Sequence, residues 1–286
     1  MKIDVERLMN WRFEEAVQAY SERDTMLYGL GLGLGWDFMD ENQLRYVIER
    51  GLRPFPTMAT VLGISGTAGN VPDSGIVRHM TVNGETALTI HNPLPSQGTV
   101  RGKTRILGVI DKGEGRGAVI YHERLVADAE TGTPYATIHT TIFARGNGGF
   151  GGPAGPVRPA HPIPERSPDA TVELPTFPNS ALIYRLSGDY NPLHSDPGYA
   201  KKAGYDRPIL HGLCTFGVSG HAIVKAICGY DETKLRSIEG RFSAPIYPGE
   251  TLTVEIWREG AEVSFRSWVK ARNAKVLDNG KAVVGE

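Results

Sequence analysis

The chain has 286 residues, 40% of them hydrophobic, with 31 Lys and Arg against 32 Asp and Glu. That is enough apolar material for one large or two ordinary domains, while the near-neutral balance excludes a whole-surface electrostatic footprint for nucleic acid or an anionic membrane. No apolar run approaches the roughly 18 residues of a membrane span, no signal-type apolar region follows the N-terminus, and VVGE is not an SKL-type address, so a cytoplasmic protein is expected.

In chain order, MLYGLGLGLGWD (26–37) comes first. Its Gly29, Gly31, Gly33 and Gly35 each weaken a helix by about 0.8–1 kcal/mol relative to Ala. PTMATVLG (56–63) is apolar without β alternation. TVRGKTRILGVIDKG (99–113), GRGAVIYHERLVAD (115–128) and PYATIHTTIFARG (134–146) then read as strands. The stretch 145–170 carries six glycines and six prolines and reads as a linker, which divides the chain into 1–144, 145–172 and 173–286. Its GNGGFGG lacks the Lys-Ser/Thr of a phosphate loop, and the prolines forbid the helix such a loop needs. Beyond it, HGLCTFGVSGHAIVKAI (211–227) has helical spacing. SIEGRFSAPI (237–246), TLTVEIWREG (251–260) and AEVSFRSWVKAR (261–272) read as strands. Cys214 and Cys228 lie too far apart on one helical stretch to bridge.

The two halves echo each other. Pro56 and Pro208 open matching segments, as do Pro93 and Pro245, and both pairs are 152 residues apart; Tyr28 and Tyr184 are 156 apart. An internal repeat decides architecture before any local assignment. The expectation is an α+β fold in which a long antiparallel sheet wraps one helix, twice over, with the two sheets free to pair edge to edge.

The chemistry concentrates in SGDYNPLHSDP (187–197), too polar for a strand and too broken by Pro192 and Pro197 for a helix. His194 can take a proton from water near neutral pH, Asp189 can hold or relay another, and Asn191 can orient either. Gly188 and the prolines restrict the loop so that these groups converge. Gly212, at the start of the expected helix, can present a bare N–H where a thioester oxygen gathers charge. Water addition to a conjugated thioester needs that set: a base, an acid and an enolate-oxygen donor. Asp196 reads as a helix cap, and His211 and His221 as packing groups. A metal set of His194, Asp196 and His211 lacks fixed tetrahedral spacing.

Gly188-Asp189-x-Asn191-Pro192-x-His194 followed by His211-Gly212-Leu213 resembles the signature of the MaoC-like, type-2 enoyl-CoA hydratases. DTMLYGLGLG, PTMATVLG, HNPLP, DKGEGRG and RFSAPIYPGETL resemble, in order, segments of the double hot-dog members of that family. The resemblance implies a double hot-dog fold and reversible hydration of trans-2-enoyl-CoA to (R)-3-hydroxyacyl-CoA, with no metal or redox cofactor and an acyl-CoA as the partner; a homodimer is the expected assembly. It implies one reaction site per chain, since Asp189 aligns with Gly33 and His194 with Phe38. It also points to Glu49 as an assisting acid, with a solvated face beside Glu41, Arg45 and Arg50 as the alternative. For CoA it points to Asn83, Gly84 and Lys112 in the first copy and Phe242 in the second. Lys112 suits a phosphate and Phe242 a flat apolar group, with a solvated turn lysine and a core strand Phe as alternatives. Residues 26–64 are expected to line an acyl tunnel, with close packing of the two halves as the competing explanation of the glycines. A hot-dog thioesterase and a non-catalytic acyl-CoA binder are the competing functions.

Overall fold

A computed structural model describes residues 2–285. Ten strands form one antiparallel sheet: β1 (Ala16–Tyr20), β2 (Thr81–Ile90), β3 (Gly98–Asp111), β4 (Ala118–Asp128), β5 (Pro134–Ala144), β6 (Ala170–Pro175), β7 (Leu235–Phe242), β8 (Thr251–Glu259), β9 (Glu262–Val269) and β10 (Ala274–Val284). Their order is β1-β3-β4-β5-β2-β7-β10-β9-β8-β6, so the two copies meet edge to edge at β2 and β7. The register there carries the duplication into the backbone. Glu85 pairs with Arg241 and Thr89 with Ser237, and a 152-residue displacement exchanges these two pairs about Ala87–Glu239. A pseudo-twofold axis therefore passes through the seam, and joining there satisfies two strand edges that would otherwise be open.

Six helices accompany the sheet: α1 (Val5–Asn10), α2 (Glu22–Gly31), α3 (Glu41–Leu44), α4 (Ser180–Tyr184), α5 (Pro197–Lys202) and α6 (Gly212–Ala226). α6 is the central one. Every residue from Cys214 to Val224 is buried, as expected of a helix apolar on nearly all faces. A Cβ at Gly217 would lie 2.5 Å from Leu32, so the glycine is what lets the first copy close over the helix.

One long helix per copy is not what forms. The first copy has only a 3-10 turn, Pro56–Val61, where the second has α6. Thr57, Thr60 and Val61 are β-branched and disfavour extended helix, the Thr60 hydroxyl donates to the Thr57 carbonyl (2.7 Å), and Gly63 turns the chain at φ +61°. α2 likewise stops at Gly31, with Gly33 and Gly35 at φ +81° and +82°. In the second copy, the 237–246 run leaves the sheet after Phe242, and the 261–272 run ends in a 3-10 turn over Lys270–Arg272. β2 escapes a pattern reading because its Asn83-Gly84 looks like a hairpin turn, but a register shift between Asn83 and Glu85 absorbs it within the strand.

The Gly/Pro stretch is strapped down. Gly149 and Gly151 donate their N–H groups to the Asp111 carboxylate (both 2.8 Å). Further along, Arg158 bonds Glu239 (2.6 Å), and Asn279 donates to the His161 carbonyl (2.8 Å). Leu88 and Ile238 belong to the core that holds α6, so Glu239, one residue on, faces the other side of the sheet, and the strap crosses there.

Candidate active site

The loop between α4 and α5 folds through two 3-10 turns, Arg185–Ser187 and Pro192–His194. Gly188 joins them at φ +114°, a conformation that strains any residue with a Cβ. Asn191 caps the second turn, its Oδ1 accepting from the Leu193 N–H (3.1 Å). The Asp189 Oδ1 accepts from the Asn191 N–H (3.1 Å), and the other oxygen makes no hydrogen bond among the described residues. Asp196 caps α5 by accepting from the Tyr199 N–H (2.9 Å).

His194 is buried, and its Nδ1 lies 2.9 Å from the Ile209 carbonyl. A carbonyl only accepts, so Nδ1 carries the proton and Nε2 keeps the lone pair. Burial lowers the His194 pKa from its usual value, while the Ile209 carbonyl and Asp189 oppose the shift. The ring is therefore neutral at pH 7, as a base must be. His211 stacks on it with centroids 3.8 Å apart and donates from Nε2 to the Asp189 carbonyl (3.1 Å). Burial, and then His194 itself, push His211 down to about 4.

Asp189, His194 and His211 each have a possible ligand atom within 4.8 Å of the others. The two rings are only 27° from parallel, so their in-plane lone pairs run side by side instead of converging on one ion. The donor set fits a metal poorly.

Asp189, Asn191, His194, Gly212, Phe242 and Asn83 line a single cavity of about 350 Å³ at the seam. Gly212 is the first residue of α6, and its N–H is one of the donors that no intrahelical carbonyl can accept. A Cβ there would sit 3.4 Å from the Phe242 ring. Asn83 enters from the first copy, and its Oδ1 is buried without a partner among the described residues. Gly84 lies in the β2 bulge and does not line this cavity. Lys112 follows β3 in a turn at the same end of the sheet, outside the cavity wall. Glu49 is exposed on the turn after α3 and also lies outside, which corrects its placement toward the solvated-face alternative. Arg145 and Tyr205 line the cavity without a sequence signal of their own. Only the Thr81–Ala144 pairing sets Arg145 beside the mouth.

Two hot-dog repeats that share one reactive cavity define the class: a double hot-dog protein with a hydratase-type loop. Residues 18–146 match the model of the MFE-2 hydratase 2 N-terminal domain, and residues 159–279 that of the MaoC-like domain. The chain belongs to the MaoC-like hydratase 2 family. It is 38% identical over 286 residues to the peroxisomal enoyl-CoA hydratase 2 of Arabidopsis thaliana, covering 94% of this chain and 92% of that one. It is 40% identical to the 3-hydroxyacyl-thioester dehydratase Y of Mycobacterium tuberculosis, with 91% of each chain covered. The crystal structure of a MaoC-like dehydratase from Phytophthora capsici superposes with a TM-score of 0.85 at 34% identity, covering 98% of both chains.

Proposed function

We propose that this cavity adds water reversibly to a trans-2-enoyl-CoA to give an (R)-3-hydroxyacyl-CoA, with Asp189 and His194 as the acid-base pair. The observation that carries the reading is Asp189 and a neutral His194 on one rigid loop, in one cavity with the N-terminus of α6. As the water oxygen adds to C3, its proton passes to the pair, and the pair returns a proton to C2 of the enolate. The Gly212 N–H donates to the thioester oxygen, a contact worth about 2.7–4 kcal/mol in comparable oxyanion holes. Asn191 is a positioning residue, because its side chain fixes the turn that ends in His194.

The buried Oδ1 of Asn83 suits an amide N–H of the pantetheine arm, and Phe242 supplies a flat apolar wall. Arg145 stands exposed at the rim for phosphate. Lys112 lies three strands farther along the sheet edge, about 14 Å at the usual strand spacing, where the far phosphates of CoA can reach it. No metal or redox cofactor enters the scheme. Among the described residues no helix is long and apolar enough to cross a membrane. A cytoplasmic location and a homodimer complete the proposal; the exposed Trp36, Phe38 and Met39 give a second copy apolar surface to cover.

Loss of enoyl absorbance with crotonyl-CoA, and no thiol release from saturated acyl-CoA, is the expected result. Thiol release without hydration would make the protein a thioesterase instead. Because oxygen and proton are delivered from one loop to one face of the alkene, addition is syn and a single enantiomer forms. Chiral chromatography of the hydrolysed product is expected to give R, and an S product would sink this geometry.

The acyl tail runs behind the loop in this reading, toward a cavity of about 140 Å³ bounded by Tyr28, Met58, Val61, Leu62, Leu186 and Gly188. Gly29 and Gly31 serve packing instead. A Cβ on Gly29 would lie 2.6 Å from the Tyr46 carbonyl oxygen, and one on Gly31 would lie 3.3 Å from the Tyr184 ring. Val61→Trp is therefore the cleaner block. It is expected to lower kcat/KM for a sixteen-carbon enoyl-CoA by more than about tenfold while leaving a four-carbon substrate nearly unaffected. Equal loss at both lengths would remove the tunnel from this path.

A further inference from the structure

The pseudo-twofold axis through Ala87–Glu239 carries the catalytic cavity onto a second one at the other end of the seam, with a volume of about 470 Å³. The correspondence is residue by residue. At the same 152-residue displacement, Arg53, Ile90, Leu94 and Leu235 of this cavity fall on Tyr205, Phe242, Ile246 and Asn83 of the other. Pro93 falls on Pro245, so the closing loop is shared as well.

What differs is the chemistry. Ala59 stands where the second copy has His211, and the aligned loop offers Gly33 and Phe38 in place of Asp189 and His194. Phe38 is 73% exposed and points no group inward. The mouth has kept its walls and lost every group that could move a proton. It has also gained charge. Arg53 replaces Tyr205 and Arg236 replaces Gly84, both bordering the cavity. Arg53 is held by Glu232 (3.1 Å), whose other oxygen accepts from the Tyr46 hydroxyl (3.1 Å), so its guanidinium is positioned although half-exposed. Ile90, Leu94, Leu235 and Ala59 give the interior an apolar lining, and the volume lies within the range of small-ligand sites.

We propose that this cavity is a second, non-catalytic binding site for an acyl-CoA, whose acyl-pantetheine arm lies along Ile90 and Leu94 and whose phosphates meet Arg53 and Arg236. It rests on the reading of the Asp189 cavity as a thioester site, since the pseudo-symmetry transfers ligand class from one to the other. Both sites can be filled at once. β2 lines the catalytic cavity at Asn83 and the second at Ile90, and seven residues of strand span about 23 Å.

Calorimetric titration of the full chain with decanoyl-CoA, which has no double bond to hydrate, is expected to give two molecules per chain. Arg236→Glu, on an exposed side chain, and Leu94→Trp are each expected to reduce this to one while kcat/KM for crotonyl-CoA stays within about twofold, as for distant independent sites. One molecule per chain in the unaltered protein, with both variants unchanged, overturns the second site and leaves the catalytic reading standing. Two molecules that neither variant affects place the extra ligand elsewhere and also overturn it. A single molecule lost from Leu94→Trp together with hydration would overturn the catalytic assignment itself.

Discussion

Asp189→Asn and His194→Ala each lower kcat/KM for crotonyl-CoA by about 10²–10⁴, the usual contribution of a positioned acid or base, while the melting temperature moves by only a few degrees. The asparagine keeps an oxygen to accept the Asn191 N–H, so the turn that holds the loop survives and only the capacity to carry a proton goes. The alanine removes a ring that stacks on His211 and bonds the Ile209 carbonyl. That carbonyl faces a cavity where water can replace the bond. Steady-state rates read beside thermal melts check both variants. Near-normal turnover in either one removes that residue from the mechanism, and a collapse of the melting temperature would mark its role as structural.

Stability falls steeply below pH 6.5. Burial is the leading cause that pushes His122 and His211 down to about 4 and His221 to about 3. These are folded-state values below the unfolded value of about 6.5, so between the two the unfolded chain binds more protons and acid favours it. The stability from each buried neutral ring is intact above pH 6.5 and is lost as the pH falls toward the folded value. Each costs about 1.4 kcal/mol per pH unit in that window, and three together roughly 4. A typical domain has about 5–15 kcal/mol to lose. The contacts agree with the sign, because the His122 Nε2 accepts from the Ala68 N–H (3.0 Å), a bond that protonation would break. Thermal melts at pH 7.5, 6 and 5 are expected to descend with increasing slope, and a flat profile to pH 4.5 would contradict the burial of neutral rings. Hydration falls over the same range as His194, shifted in the same direction, takes up its proton.

The reactive loop is legible in the chain because its determinants are local. Gly188, the Asn191 cap, Pro192 and Asp196 act within ten residues of one another, and each does in space what its residue type does in any chain. α6 is legible for the same reason, since its apolar spacing runs unbroken over four turns. PTMATVLG misleads because eight apolar residues suit a helix or a 3-10 turn equally. Its β-branched threonines, and the seat of α6 against Thr57 through Gly220, decide for the turn. Glu49 misleads because an acid at roughly the right spacing says nothing of the direction in which its turn points.

Composition, repeat spacing and loop chemistry by themselves determine two copies of an α+β unit, one of them reactive, and they name the acid, the base and the helix that receives the thioester. Strand register lies beyond them. A period-two pattern specifies which face a residue takes but not which distant strand it meets, so only the tertiary structure decided that β2 and β7 share a seam. That pairing brings Asn83 and Arg145 of the first copy to the cavity of His194 in the second, and by the same twofold geometry it leaves a second mouth at the far end with its walls intact and its catalysts gone.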